Sequence, residues 1–204
     1  MLTRLKLWRD RQQKARFLYG SIVTQARSPS LYAQCGVPDT AEGRFEMIAL
    51  HLVLVLHRLG RDGERGQRLA RALTETFAVD LDDNLREMTV GDLTVPRQVK
   101  RAVGALQERH ASYGAALPAS CNESNRTSGF DPLAAVVEAK LGALATAGDL
   151  DVSRICAYIR LVSQRLDLLP SAEVLAGRIA WPQIDAVELE RGGARQMTEG
   201  DHAG

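Results

Sequence analysis

Aromatic side chains are scarce in this chain of 204 residues, where Phe, Trp and Tyr together make up 5% of the sequence. The apolar fraction of 45% therefore comes mostly from Leu, Val, Ile and Ala, which suit a helical core better than a β-sandwich. No segment alternates apolar and polar residues for long enough to make a convincing strand. These absences predict an all-α fold, a single-domain helical bundle of about six or seven helices.

A long apolar run is also missing. The longest, Met47–Leu56, is interrupted by His51, whereas a helix needs about 20 apolar residues to cross a bilayer. The N-terminus has no apolar segment followed by a small-residue cleavage site, so no secretory signal is predicted. We therefore expect no transmembrane helix.

Cysteines are few, and the familiar catalytic motifs are absent. The three cysteines, Cys35, Cys121 and Cys156, form no CxxC pair, which indicates a reducing compartment and neither a disulfide framework nor a zinc ribbon. The sequence contains no phosphate-binding loop, dinucleotide-binding glycine motif, zinc-protease helix or nucleophile elbow. We expect no enzymatic activity, cofactor or metal.

Apolar residues recur every three or four positions along most of the chain and predict amphipathic helices. These span approximately residues 2–27, 40–59, 64–88, 95–117, 131–147, 151–169 and 170–179. The second is apolar on nearly every side and is predicted to lie in the middle of the bundle, with Asp39 as its N-cap and Glu42 as the reciprocal partner. The predicted division is a basic helical segment, 1–16, a domain, 17–180, with a flexible junction near 118–130, and a disordered tail, 181–204.

His51 is the polar exception within the second helix. It is interpreted as a core histidine hydrogen-bonded to a neighbouring helix, with a haem or metal ligand and a buried contact to a client protein as alternatives. His57 does not share its helical face, because six residues correspond to roughly 600° of rotation. His110 lies on an apolar stripe and is interpreted as structural.

The charge of the chain is unevenly distributed. Residues 1–27 contain seven Lys or Arg and one acid, a net charge of +6, whereas the remainder carries −5. Three interpretations of this basic start remain open: a solvated helix end, contact with an anionic membrane surface, or contact with ribosomal RNA. No DNA partner is expected. The candidate contact residues are Arg4, Lys6, Trp8, Arg9, Arg11, Lys14 and Arg16.

Several segments, taken together in order and spacing, resemble the ubiquinol–cytochrome c chaperone family, in its bacterial form. They are Leu18–Val23, Tyr32, Gly36–Thr40, Gly43–Ile48, Leu50–Leu52, Asp83–Met88, Val90–Pro96 and Lys100. The resemblance covers residues 17–117. Family members commonly carry an aromatic-rich segment where Ala105–Arg109 stands in this chain.

The resemblance implies a helical assembly chaperone that acts on newly made cytochrome b during assembly of ubiquinol–cytochrome c reductase. The implied partner is cytochrome b or another respiratory-complex subunit, and the implied location is the bacterial cytoplasm, with peripheral contact at the inner membrane, rather than the mitochondrial matrix. The competing function is an RNA- or ribosome-associated protein that acts through the basic N-terminus.

We hypothesise that a client-binding site lies around the predicted turn between the third and fourth helices. A helical protein can hold an apolar client helix in a groove between its own helices, and such a groove leaves an exposed apolar patch. The alternative is that Gly91, Asp92 and Pro96 serve only turn geometry and capping. The proposed site residues are Arg86, Glu87, Met88, Gly91, Asp92, Leu93, Pro96 and Lys100.

Overall fold

The computed structural model describes residues 2–87, 94–117, 131–146 and 148–182. Within these ranges the chain forms helices and no strand, so the all-α prediction is confirmed. The helices are α1 (Leu2–Ala26), α2 (Pro29–Ala33), α3 (Ala41–Gly60), α4 (Gly63–Glu87), α5 (Val95–Ala116), α6 (Pro132–Val137), α7 (Val152–Leu168) and α8 (Ser171–Leu175). In the described ranges, none of these helices combines the length and the apolar character that crossing a membrane requires.

The central helix is α3, as its apolar sequence predicts. Every residue from Ala49 to Val55 is buried, because α1, α4, α5 and α7 all pack against it. A helix with no solvent-facing side in its middle must be surrounded by other elements. The buried side chains belong to one continuous core that extends from Ala15 to Val174.

The first turn of α3 differs from its prediction. Thr40, and not Asp39, is the N-cap: its hydroxyl accepts a hydrogen bond from the backbone N–H of Gly43 at 3.0 Å. Asp39 instead pairs with Arg44, with 2.6 Å between Oδ1 and Nε. Both residue types cap helices well, and here the cap is the later of the two, while the carboxylate of the earlier one is taken by an exposed arginine.

Two later helices begin where the sequence predicts, at Pro132 and Val152, although the first of them does not stay α-helical over its predicted length. Asp131 accepts from the backbone N–H of Leu133 at 3.1 Å, and Asp151 accepts from that of Arg154 at 2.8 Å. The predicted helix 131–147 remains α-helical only to the end of α6 and then continues as one π-helical turn, Glu138–Gly142.

The glycines of the Gly36–Thr40 and Gly43–Ile48 segments have a steric role. Gly36 has a φ of +67°, and a Cβ atom there would lie 1.7 Å from the carbonyl oxygen of Asp149. A Cβ atom at Gly43 would lie 2.0 Å from the carbonyl oxygen of Pro38. The chain leading into α3 therefore packs backbone against backbone, which a larger residue would prevent.

Helices α1 and α4 lie side by side and run in the same direction. Gln12 donates to Glu75 at 3.2 Å, and further along Tyr19 donates its hydroxyl hydrogen to Asp80 at 2.9 Å. The Tyr19 ring also meets the Phe77 ring edge to face, with 6.4 Å between ring centroids. This pairing places the basic start of α1 beside the start of α4.

A buried ion pair joins α3 to α5. Arg109 binds the carboxylate of Glu46 through two nitrogens, one of them at 2.8 Å, and its guanidinium lies 5.6 Å from the centre of the Phe45 ring. Glu46 is buried, so its charge depends on this partner. Ala105–Arg109, the departure from the family pattern, therefore contributes a structural contact to α3.

At the other end of α3, Arg58 joins this helix to the end of α7. It is buried and donates to the carbonyl oxygens of Leu166 at 2.9 Å and Leu169 at 3.0 Å, which belong to the last turn of α7 and its C-cap. Arg58 also forms an ion pair with Asp62, with 2.8 Å between Nη1 and Oδ2. The other carboxylate oxygen of Asp62 accepts a hydrogen bond from the Ser171 hydroxyl at 2.5 Å. Helix-end carbonyls have no partner within the helix, so this arginine completes α7.

The end of the described chain is part of the fold. Trp181 packs against His51, with 5.4 Å between ring centroids, and the carbonyl oxygen of Pro182 accepts from Gln25 at 3.2 Å. The predicted tail, 181–204, therefore begins too early by at least these two residues. The remainder, 183–204, and the predicted junction, 118–130, lie outside the described residues.

We expect Arg109→Met to lower the free energy of unfolding by about 3 kcal/mol, because it leaves the buried Glu46 carboxylate without its partner. The matched control is Lys140→Met, which removes the exposed Lys140–Glu108 pair of 2.5 Å, also a contact of α5. This control should cost about 1 kcal/mol or less. Urea unfolding measures both, and equal losses would contradict the prediction.

Candidate functional site

The proposed client-site residues that the structure describes flank the segment that connects α4 to α5. Arg86 and Glu87 end α4, and Pro96 and Lys100 lie in the first two turns of α5. All four are exposed. Met88, Gly91, Asp92 and Leu93 lie outside the described residues. Arg86 pairs with Asp82 one turn earlier, with 2.7 Å between Nε and Oδ2.

An open groove lies between α4 and α5, and we call it the hairpin groove. Its volume is about 480 Å³. It is lined by Ala70, Arg71, Thr74, Glu75, Ala78, Val103 and Gln107. Its α4 wall has a small residue every four positions, at Ala70, Thr74 and Ala78, and residues at this spacing share one face of a helix.

The exposed surface of the hairpin groove is mostly apolar, although four of its seven lining residues, Arg71, Thr74, Glu75 and Gln107, have polar side chains. The Thr74 hydroxyl donates to the carbonyl oxygen of Ala70 at 3.0 Å and is therefore already satisfied within α4. The charged lining residues are Arg71 and Glu75, which are exposed. The groove is suited to an apolar partner and has no set of converging polar groups of the kind that fixes a small substrate.

Sequence reasoning did not identify the hairpin groove. The sequence shows the apolar stripe of α4 that contains Leu69, Leu73 and Phe77, and these residues are buried. The small residues Ala70, Thr74 and Ala78 stand one position after each of them. Their regular spacing is visible in the sequence, but small residues are common in helices and do not by themselves indicate a binding site. The groove forms only because α5 packs beside this row of small residues.

His51 lies in a buried chain of hydrogen bonds. Its Nδ1 is 2.7 Å from the Met47 carbonyl oxygen, and its Nε2 is 2.8 Å from the Tyr158 hydroxyl oxygen. The side-chain amide of Gln25 donates to the same hydroxyl oxygen at 2.8 Å. The chain connects α3, α7 and α1, so the interpretation of His51 as a hydrogen-bonded core residue is confirmed.

The directions of these hydrogen bonds determine the tautomer of His51. A carbonyl oxygen only accepts, so Nδ1 carries the hydrogen that is donated to Met47. Nε2 must then accept, and Tyr158 supplies the hydrogen. Burial lowers the pKa of His51 to about 4, although the Met47 carbonyl opposes the shift. The imidazole is therefore neutral at physiological pH and has no nitrogen left for a metal.

Two further histidines among the described residues meet at the surface. His57 and His110 face each other across α3 and α5, with 6.5 Å between ring centroids, and Arg61 lies 3.3 Å from Nε2 of His57. Burial, together with the charges of Arg61 and His110, lowers the pKa of His57. In the part of the chain that the structure describes, no three His, Cys, Asp or Glu side chains cluster in a way that would hold a metal ion.

The two described cysteines have packing roles. Cys35 and Cys156 are buried, and burial raises the pKa of each thiol to about 11. A thiol with so high a pKa is a poor nucleophile, because the thiolate is the reactive form. Cys121 lies outside the described residues.

The basic candidates of the N-terminus lie on the first half of α1. Arg4, Lys6, Arg9 and Arg16 are exposed. The remaining members are Trp8, Arg11 and Lys14. Lys14 pairs with Asp10 at 2.7 Å. Trp8 and Arg11 instead line a cleft between α1 and α4 that also contains two α4 arginines, Arg68 and Arg71.

Comparison with known proteins identifies similar chains. The sequence profile of the family described as ubiquinol-cytochrome C chaperone matches residues 33–181. The crystal structure of the Cbp3 homolog from Brucella abortus is 29% identical in sequence, with a TM-score of 0.74, and the match covers 91% of this chain and 98% of that chain. No curated protein matches the sequence. The profile match carries the resemblance past residue 117, through α6, α7 and α8.

We expect Tyr158→Phe to lower the free energy of unfolding by about 1–3 kcal/mol, because both His51 and Gln25 lose a buried hydrogen-bond partner. Tyr32→Phe is the matched control. It removes a half-buried hydroxyl that donates to the carbonyl oxygen of Ala26, and we expect a loss below about 1 kcal/mol. Chemical denaturation measures the free energy of unfolding of both variants. Equal losses would contradict a stabilising role of the buried hydrogen-bond network.

The lowered pKa of His51 predicts a pH dependence of stability. The unfolded chain takes up a proton at this residue near pH 6.5, whereas the folded chain does so only near pH 4. The stabilisation is therefore complete above pH 6.5 and is lost as the pH falls from 6.5 to 4, by about 3 kcal/mol in total.

Urea unfolding at several pH values tests this dependence, with His51→Gln as the reference because it titrates at no pH in the window. The wild type should lose more stability than the variant between pH 6.5 and pH 4. The remaining carboxylates contribute equally to both proteins, so identical slopes would contradict a neutral, buried His51.

Proposed function

Because the chain belongs to the ubiquinol–cytochrome c chaperone family, we propose that it is an assembly chaperone that binds newly made cytochrome b. It holds this client during assembly of ubiquinol–cytochrome c reductase and carries out no chemical reaction of its own. A different subunit of the respiratory complex is the alternative client. The hairpin groove is the observation that carries the proposal.

The hairpin groove matches the needs of a helical client. An apolar helix exposes bulky side chains on every side before it reaches its partners in the complex. The small side chains of α4 let the backbone of such a helix approach closely, while Val103 contributes apolar surface from α5. From Ala70 to Ala78 the groove wall is about 12 Å long, which corresponds to roughly two turns of a bound helix.

This binding site extends towards the ends of α4 and α5 that the connecting segment joins, where Arg86, Glu87, Pro96 and Lys100 lie. Arg86 lies eight residues beyond Ala78, about 12 Å further along the same helix. A client helix in the hairpin groove would bring its polar end towards these exposed charges. The groove thus holds the apolar part of the client, and the charged rim contacts the segment that follows it.

We expect Ala78→Trp to reduce the amount of cytochrome b that co-purifies with the chain by at least about five-fold, because the indole fills the groove that the client helix would enter. Thr74→Leu, a smaller filling, should give an intermediate loss. The matched control is Val79→Trp, at the next position of α4, which is exposed and does not line the groove.

Thermal unfolding by circular dichroism shows whether each variant is folded. Normal cytochrome b recovery with folded Ala78→Trp and Thr74→Leu would contradict the groove. The rim is tested separately by the double charge reversal Arg86→Glu, Lys100→Glu, which should lower recovery of cytochrome b. If the rim variant alone fails to do so, the client contact is confined to the groove.

A further inference from the structure

The first turns of α1 expose three large apolar side chains. Leu5 is 47% exposed, Leu7 is 62% exposed and Trp8 is 49% exposed. Trp8 precedes the fully buried Ala15 by seven residues, about two helical turns, so the two lie on the same side of the helix. The apolar stripe that packs into the core further along α1 is therefore uncovered at its beginning.

A cleft between α1 and α4 adds positive charge to this uncovered stripe, and we call it the arginine cleft. Its volume is about 220 Å³. Three arginines, Arg11, Arg68 and Arg71, face a single carboxylate, Glu75. Trp8, Gln12 and Ala72 complete the lining. The pairing of α1 with α4 thus creates a cationic site that neither helix has alone.

Two cations of the arginine cleft are available to an outside anion. Arg68 pairs with Glu64 at 2.5 Å, and Glu75 accepts from Gln12 at 3.2 Å. Arg11 and Arg71, in contrast, have no ion pair within the described ranges of the chain. Guanidinium groups bind phosphate oxygens in pairs with good geometry, so the chemistry of the cleft fits a phosphate group.

Further cations surround the cleft on both helices. Arg4, Lys6 and Arg9 are exposed on α1, and Arg65 is exposed on α4. The remainder of the chain after residue 27 is net negative, at −5. The beginnings of α1 and α4 therefore carry a cluster of cations, and an extended anionic surface would attract this part of the protein.

The exposed apolar residues distinguish between the two anionic surfaces that suit such charges. RNA would use the arginines and could stack a base on Trp8, but it offers nothing to Leu5 and Leu7. A bilayer offers an apolar layer beneath its phosphates, and tryptophan favours the boundary between the two. The combination of cations with aliphatic side chains favours lipid.

We propose that the beginning of α1, together with the arginine cleft, is a docking surface for a membrane that contains anionic lipids. Leu5 and Trp8, three residues apart and on one side of α1, enter the boundary between headgroups and acyl chains. Arg11 and Arg71 bind lipid phosphates, and the surrounding cations add long-range attraction. This surface works without a client, so its test is independent of the function proposed above.

The full chain is tested by flotation with vesicles of phosphatidylcholine alone and with vesicles that contain about one third phosphatidylglycerol. We expect binding to the anionic vesicles, weakened by added salt. The double variant Arg11→Gln, Arg71→Gln should bind about 25-fold more weakly, since each cation near an anionic surface contributes about five-fold. Leu5→Ser, Trp8→Ser should lose at least about ten-fold through the missing apolar anchors.

The matched control is Arg101→Gln, Arg165→Gln, which removes two exposed cations elsewhere and should bind as the wild type does. A fragment of structured ribosomal RNA provides the competing surface. Absence of binding to anionic vesicles would overturn the proposal. So would tight RNA binding that Leu5→Ser, Trp8→Ser leaves unchanged, because the surface would then serve nucleic acid through its charges alone.

Discussion

The middle of α3 has no contact with solvent, and the rest of the structure depends on this constraint. Three polar residues of this helix are buried, Glu46, His51 and Arg58. Each needs a partner, because a buried polar group without one costs about 1–3 kcal/mol. Arg109 of α5 binds Glu46, Tyr158 of α7 binds His51, and the carbonyl oxygens at the end of α7 bind Arg58. These contacts join α3 to α5 and α7 within the apolar core.

The same arrangement leaves the outer side of α4 for other molecules. Helix α4 packs on α3 through its leucine stripe and lies between α1 and α5. The hairpin groove lies on its α5 side and the arginine cleft on its α1 side. Arg71 and Glu75 line both, so the two proposed surfaces adjoin. A client helix in the groove would therefore lie next to the lipid surface that the cleft contacts.

The core role of His51 was predictable because a lone histidine on an apolar helix has a common structural explanation. Its partners were not, since Tyr158 lies 107 positions away in the sequence and Gln25 lies on another helix. The ion pair between Glu46 and Arg109 was missed for the same reason. Trp181 was assigned to the tail, which was predicted to be disordered because it is Gly-rich and polar from Glu188 onward, although the Trp181 ring packs against the buried His51.

The sequence by itself determined the longer helices, their breaks at proline and glycine, the helix starts near Asp131 and Asp151, and the central position of α3, whereas the short helix α2 was not predicted. These features depend on residues within a few positions of one another, through the helical repeat and local hydrogen bonds. Tertiary structure alone decided the groove, the cleft and the buried network. Each joins residues from separate helices, such as Tyr19 and Asp80, which are 61 positions apart, and packing of the whole core brings them together.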